Sequence, residues 1–123
     1  MRISIVRIAS VLAILCLSAL AQTPKAGAAP AGNKENGRKI FVSYGCYQCH
    51  GREAQGGAGT GPKLGPRPIV FAAFTMYVRQ PSGQMPPYTS KVVSDQELAD
   101  MYAFLQSLPQ PPAAKDIPLL NDK

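Results

Sequence analysis

One histidine, His50, is all that the chain of 123 residues contains, and it has no tryptophan. A single imidazole speaks against schemes that place a second histidine as a distal acid or base. It also makes a zinc centre a poor fit, because such a centre draws four ligands, often from paired Cys and His residues. Aromatic residues make up only 7%, so a domain this small has little bulky side-chain surface and needs a staple or cofactor. Period-2 alternation is nearly absent, which leaves an all-α class. No Gly-x-x-x-x-Gly-Lys-Ser/Thr is present, so phosphate cradling has no support. No Lys/Arg run is interleaved with aromatics, so nucleic-acid binding has none either.

Long apolar runs are also scarce. The only candidate spans Ile8 to Leu20, behind Arg2 and Arg7 and ahead of Ala19-Leu20-Ala21. A basic start, a short apolar stretch and a small-x-small end make a secretory signal. The run falls short of the roughly 20 residues of a membrane span. Residues 1–21 are therefore expected to be removed, giving a periplasmic or otherwise exported protein; retained, they would anchor it to a membrane. Cys16 sits after Leu15, where a lipoprotein signal would want a small residue. The 102 residues that remain carry eleven basic and seven acidic side chains. That modest positive balance suits steering toward acidic partners, and equally suits a plain solvated surface.

Composition divides the rest. Residues 22–34, rich in Ala, Pro, Gly and Lys, read as a flexible leader. A domain follows over 35–108, then a Pro-rich tail over 109–123 expected to be mobile. Within the domain, Ile40, Phe41 and Tyr44 recur at helical spacing from about Asn36, and Gly45 ends that helix. Gly51 to Pro68 is dense in Gly and Pro and is a loop. Ile69 to Arg79 suits a short helix carrying Phe71, Phe74 and Val78. Ser94-Asp95-Gln96-Glu97 is a capping box opening a last helix. Its apolar stripe is Leu98, Met101, Tyr102, Leu105 and Leu108.

With Cys16 in the signal, Cys46 and Cys49 are the only thiols left. They stand in Cys46-Tyr47-Gln48-Cys49-His50, a Cys-x-x-Cys-His motif of the kind that attaches c-type haem. Each thiol can add to one vinyl group of the same porphyrin, and His50 then lies beneath the iron as proximal ligand. A thioredoxin-like pair would need a βαβ context, which is not visible. A plain disulfide is possible in an exported protein but gives His50 no role.

A sixth iron ligand cannot be a second histidine. Thioether sulfur is soft, and a Met/His pair raises the potential of haem iron. Met76, Met85 and Met101 are the candidates. Met101 falls on the apolar stripe of the last helix. Met76 falls in the middle helix, where core packing is its ordinary employment. Met85 stands in Gly83-Gln84-Met85-Pro86-Pro87-Tyr88, a loop stiffened by two prolines, and is preferred, with Met76 the runner-up.

In this arrangement residues 35–108 resemble a class I c-type cytochrome, the small bacterial monohaem kind. The shared order is N-terminal helix, Cys-x-x-Cys-His, Gly-rich loop, Met loop and C-terminal helix. The resemblance implies three to four helices around one covalently bound haem c. It implies that the terminal helices cross, with Gly37 and Phe41 against Leu98, Tyr102 and Leu105. Gly61-Pro62-Lys63-Leu64 matches the family's Gly-Pro-x-Leu, which implies that the Pro62 carbonyl accepts a hydrogen bond from His50. Met85-Pro86 matches its Met-Pro. The stretch from His50 to Met85 is short for a mitochondrial form and is similar to compact bacterial cytochromes or cytochrome subunits of dehydrogenases.

The expected function is single-electron carriage, not catalysis, with no small-molecule substrate and no nucleic acid. Partners would be redox proteins, a donor dehydrogenase or an acceptor oxidase, and the chain could be a subunit of a larger dehydrogenase. A ligand-sensing haem protein or a peroxidase would need an open sixth position instead.

Overall fold

The computed structural model describes residues 28–121. The expected signal peptide (1–21) lies outside the described residues, as do leader residues 22–27 and tail residues 122–123. The described chain is all-helical, without strands: α1 (Lys34–Ser43), α2 (Tyr47–His50), α3 (Phe71–Arg79), α4 (Asp95–Ser107) and α5 (Pro118–Asn121), with a 3-10 turn at Ala114–Asp116.

Helix α1 starts slightly before the expected point because Asn33 caps it. The Asn33 Oδ1 accepts the Asn36 N–H at 2.8 Å, and Glu35 occupies the first turn, where the exposed N–H groups favour negative charge. The capping box of α4 forms as read. Ser94 Oγ accepts the Glu97 N–H at 3.2 Å, and Glu97 Oε2 accepts the Ser94 N–H at 2.7 Å. Ser94 N and Ser94 Oγ both donate to the Glu97 carboxylate and hold it below the usual carboxylate range.

The two helices cross at Gly37. A Cβ there would fall within covalent range of the Asp100 carbonyl and close to the Met101 nitrogen, so only glycine allows the approach. Next to the contact, Phe41 and Phe104 pack with ring centroids 5.5 Å apart. Asp100 locks the same junction and is only 5% exposed. Its carboxylate accepts from Asn33 N (2.8 Å), Asn36 Nδ2 (2.7 Å) and Gln96 Nε2 (2.9 Å). Burial opposes its ionisation, but these three bonds outweigh burial and hold its pKa below the ordinary value.

The resemblance implied Leu98, Tyr102 and Leu105 at this crossing, and the structure corrects that: Asp100 and Met101 lie under Gly37, with Phe104 against Phe41. Residues turn by about 100° each along a helix, so Leu98, Tyr102 and Leu105 share a face turned from Asp100 and Phe104. Tyr102 packs against α3, with ring centroids 5.2 Å from Phe71 and 5.5 Å from Phe74. Helix α4 is thus covered on more than one side. Leu98, Ala99, Asp100, Met101, Tyr102, Phe104 and Leu105 are all buried, where a one-sided stripe was expected.

Two further expectations shift. Gly32 and Asn33 fall in the stretch read as leader, yet Gly32 backs onto the Ala99 carbonyl and Asn33 donates to Asp100. The tail stays off the core but forms short helical turns, with Leu119 86% exposed. Among the described residues no helix is long and apolar enough to cross a membrane.

Candidate functional site

The wall carrying His50 is built by local chain. Tyr44 is the C-cap of α1, and Cys46 serves as the N-cap of α2, the single turn that holds Cys49 and His50. The loop that follows folds back on it. Gly56 N donates to His50 O (2.8 Å), Thr60 Oγ1 to Cys49 O (2.9 Å) and Leu64 N to Ala54 O (2.9 Å). Pro62 is then brought to the imidazole, with His50 Nδ1 2.8 Å from the Pro62 carbonyl oxygen. A carbonyl only accepts, so Nδ1 carries the proton and Nε2 keeps its lone pair for a metal ion. Gly61 makes this possible. A Cβ there would stand 2.9 Å from Cys49 O and 3.0 Å from His50 Nδ1, and the loop would be pushed off the ring.

His50 lines an open cavity of about 600 Å³ together with Cys46, Cys49, Pro62, Leu64 and Met85. Phe74, Val78, Tyr88 and Leu105 extend its apolar surface. A small recess of about 30 Å³, lined by many of the same residues, also carries Cys46, His50 and Met85 on its walls. The preferred residues of the sequence reading, Cys46, Cys49, His50, Pro62 and Met85, therefore meet around one cavity. Met76 does not line it: it is 65% exposed, which corrects its expected core role. It sits midway between Phe74 and Val78 on α3, on the side turned from the core. Met101 is buried in the recess wall, 4% exposed.

Both thiols are free of a disulfide. Burial, aided by the nearby Cys49, pushes the Cys46 thiol above its ordinary pKa against a smaller opposing backbone hydrogen bond. An activated redox cysteine shows the reverse shift. Among the described residues no three His, Cys, Asp or Glu side chains cluster to hold a bare metal ion.

The residues do fit a haem. The cavity is apolar, as a porphyrin face requires, and two thiols and an imidazole with a free Nε2 border it. Lys63 and Arg67 also line it, with no carboxylate, which suits a group that carries two propionates. Cys46 and Cys49 would hold haem covalently and His50 would ligate its iron.

Sequence reasoning passed over the residues that fasten the Met85 loop. Tyr88 OH donates to the Tyr44 carbonyl at 3.0 Å, and Tyr88 N donates to Val78 O at 3.0 Å. The Tyr44 and Tyr88 rings meet edge-on, 6.4 Å apart, and Tyr44 OH donates to Glu97 at 3.2 Å. Burial raises the pKa of both phenols, Tyr44 with help from the Glu97 charge and Tyr88 with help from Cys46 and Cys49. Both therefore stay protonated donors. Two tyrosines flanking the Cys and Met motifs were the available signal.

Fold and cavity together define a c-type cytochrome domain: helices crossed at a glycine, a Cys-x-x-Cys-His turn and an apolar cleft. A family model described as cytochrome c oxidase, cbb3-type, subunit III matches residues 32–105, more than half of the chain, and the chain belongs to that family. No solved structure matches it. It is a small monohaem class I cytochrome that binds haem c covalently and works by haem-based electron transfer with redox partner proteins. Domains of this family are typically exported.

Proposed function

We propose that this chain is a one-electron carrier with His50 and Met85 as axial ligands, held through Cys46 and Cys49. The observation that carries the reading is that His50 and Met85 border the same cavity, while Met76 faces solvent and no second histidine exists. Bound haem supplies the chemistry, a reversible change between ferrous and ferric iron. The protein's part is to keep that site closed and dry. The Pro62 carbonyl orients His50 and raises its basicity. Pro86 and Pro87 limit the freedom of the Met85 loop, so that a thioether can ligate at small further entropic cost. The apolar wall excludes water from the ligand sphere and lowers the reorganisation that accompanies each electron. No general acid or base is called for. The carrier would work outside the cytoplasmic membrane, between a dehydrogenase and an oxidase or as a subunit of one of them.

The test is Met85→Ala. The ferric holoprotein should lose its weak far-red sulfur-to-iron band, its reduction potential should fall, and the ferrous form should bind carbon monoxide rapidly at neutral pH. A variant that keeps the band and excludes carbon monoxide would show that Met85 is not the ligand.

A further inference from the structure

Arg79 is the last residue of α3, yet its side chain is only 17% exposed. Its guanidinium turns inward. Nη1 donates to Tyr88 O at 2.9 Å and to Val93 O at 2.5 Å, and Nη2 to Asp95 Oδ1 at 2.6 Å. Asp95 is 85% exposed, so that ion pair adds little. The two carbonyls matter more. A part-buried guanidinium aimed at backbone acceptors fixes the path of the chain, and its planar fork does so at small entropic cost.

The path in question runs from Met85 to the start of α4. Tyr88 is three residues beyond Met85, and the residues between are Pro86 and Pro87, whose φ angles are locked. A shift at Tyr88 is therefore passed on to Met85 with little slack. Arg79 does not line the cavity, so it touches neither ligand nor cofactor.

We propose that Arg79 is a positioning residue for Met85. By pinning Tyr88 and Val93 it sets where the sulfur sits and how rarely it leaves. This rests on the assignment of Met85 as axial ligand. An external ligand can bind only where the sulfur has left, so its apparent affinity reports the open fraction directly.

The experiment titrates ferric holoprotein with imidazole while following the far-red band, in the parent, Arg79→Gln, Met85→Ala and Asp100→Asn. Arg79→Gln should bind imidazole at least tenfold more tightly than the parent and lose the band at correspondingly lower concentration. Asp100→Asn weakens the helix crossing without touching the loop, and its imidazole affinity should stay within about twofold of the parent, as expected for a loop that has not opened. An Arg79→Gln affinity no greater than that of Asp100→Asn would overturn the proposal and leave Arg79 a merely structural residue. If Met85→Ala loses the band while Arg79→Gln matches the parent, the ligand assignment stands and this inference alone fails. If Met85→Ala keeps both band and parent affinity, both fail. Should Arg79→Gln not accumulate with haem, Arg79→Lys keeps the charge and carries the same test. It should give a smaller increase of the same sign, and parent affinity in that variant would overturn the proposal.

Discussion

The two walls of the cavity are made in opposite ways. The His50 wall is local: its two thiols, imidazole and Pro62 carbonyl all fall between residues 46 and 62, and its bonds join near neighbours. The Met85 wall is assembled from a distance. Its anchor, Tyr88, is bonded to Tyr44 across 44 residues, and Arg79 ties it to the chain entering α4. A local wall can be written as a contiguous motif. A distributed wall depends on partners that no short motif contains.

The sharpest way to break this contrast is to remove each wall's key residues. Cys46→Ala with Cys49→Ala should abolish covalent haem completely, so that intact mass after acidic organic extraction is that of the bare chain. Met85→Ala should leave covalent loading intact and change only the sixth position. Haem retained by the double variant would mean that the thiols are not its attachment.

Next in size is the crossing on which both walls stand. Gly37→Ala places a methyl group against the Asp100 carbonyl, and overpacking of this kind costs about 3 kcal/mol. Both walls should fail together, with one cooperative melt at a lower midpoint. A variant that lowered the far-red band but left the midpoint unchanged would show that the crossing serves the Met85 wall alone.

Asp100→Asn should cost about 2 kcal/mol, since it weakens charge-assisted bonds to Asn33, Asn36 and Gln96. The pH dependence has a definite sign. The folded pKa of Asp100 is lowered, so its contribution is fully present above the unfolded value, about 3.9, and is lost as pH falls through the folded value. Between those values the parent should lose stability faster than Asp100→Asn in thermal melts. Parallel pH curves would remove Asp100 from that role.

The smallest effect is expected at Met76. Its side chain faces solvent, so Met76→Ala should change stability by less than about 0.5 kcal/mol and leave the far-red band in place. A lost band would transfer the distal wall from Met85 to α3.

The same contrast explains what was legible. Cys46, Cys49 and His50 stood out because their chemistry is compressed into five residues, and the all-helical class and the α4 cap followed from local spacing. Pro62 was legible only through resemblance, since nothing in the spacing alone aims a carbonyl at an imidazole. Arg79 was passed over because a basic residue at a helix end ordinarily faces water and favours the helix terminus. Its inward turn depends on Tyr88 and Val93 arriving from another part of the chain. Leu98, Tyr102 and Leu105 were assigned to the wrong side of α4 for a related reason. The stripe showed that α4 is buried, but not which part of it meets α1 and which meets α3. Met76 was misjudged because an apolar side chain in an amphipathic helix reads as core wherever the boundary of the face is close.

The separations between bonded residues also differ in the entropy needed to close them, which favours one order of folding over the other. Bonds of the His50 wall close short loops, which form early and at small entropic cost, while the Tyr44–Tyr88 bond must close a loop several times longer. The thiols and imidazole can thus be presented on a chain whose far side is still open, giving an attachment apparatus access to Cys46 and Cys49 before α3 and the Met85 loop arrive. A fragment ending before Phe71 should therefore still accept covalent haem in cells that attach it, and should hold its iron with an exchangeable sixth position.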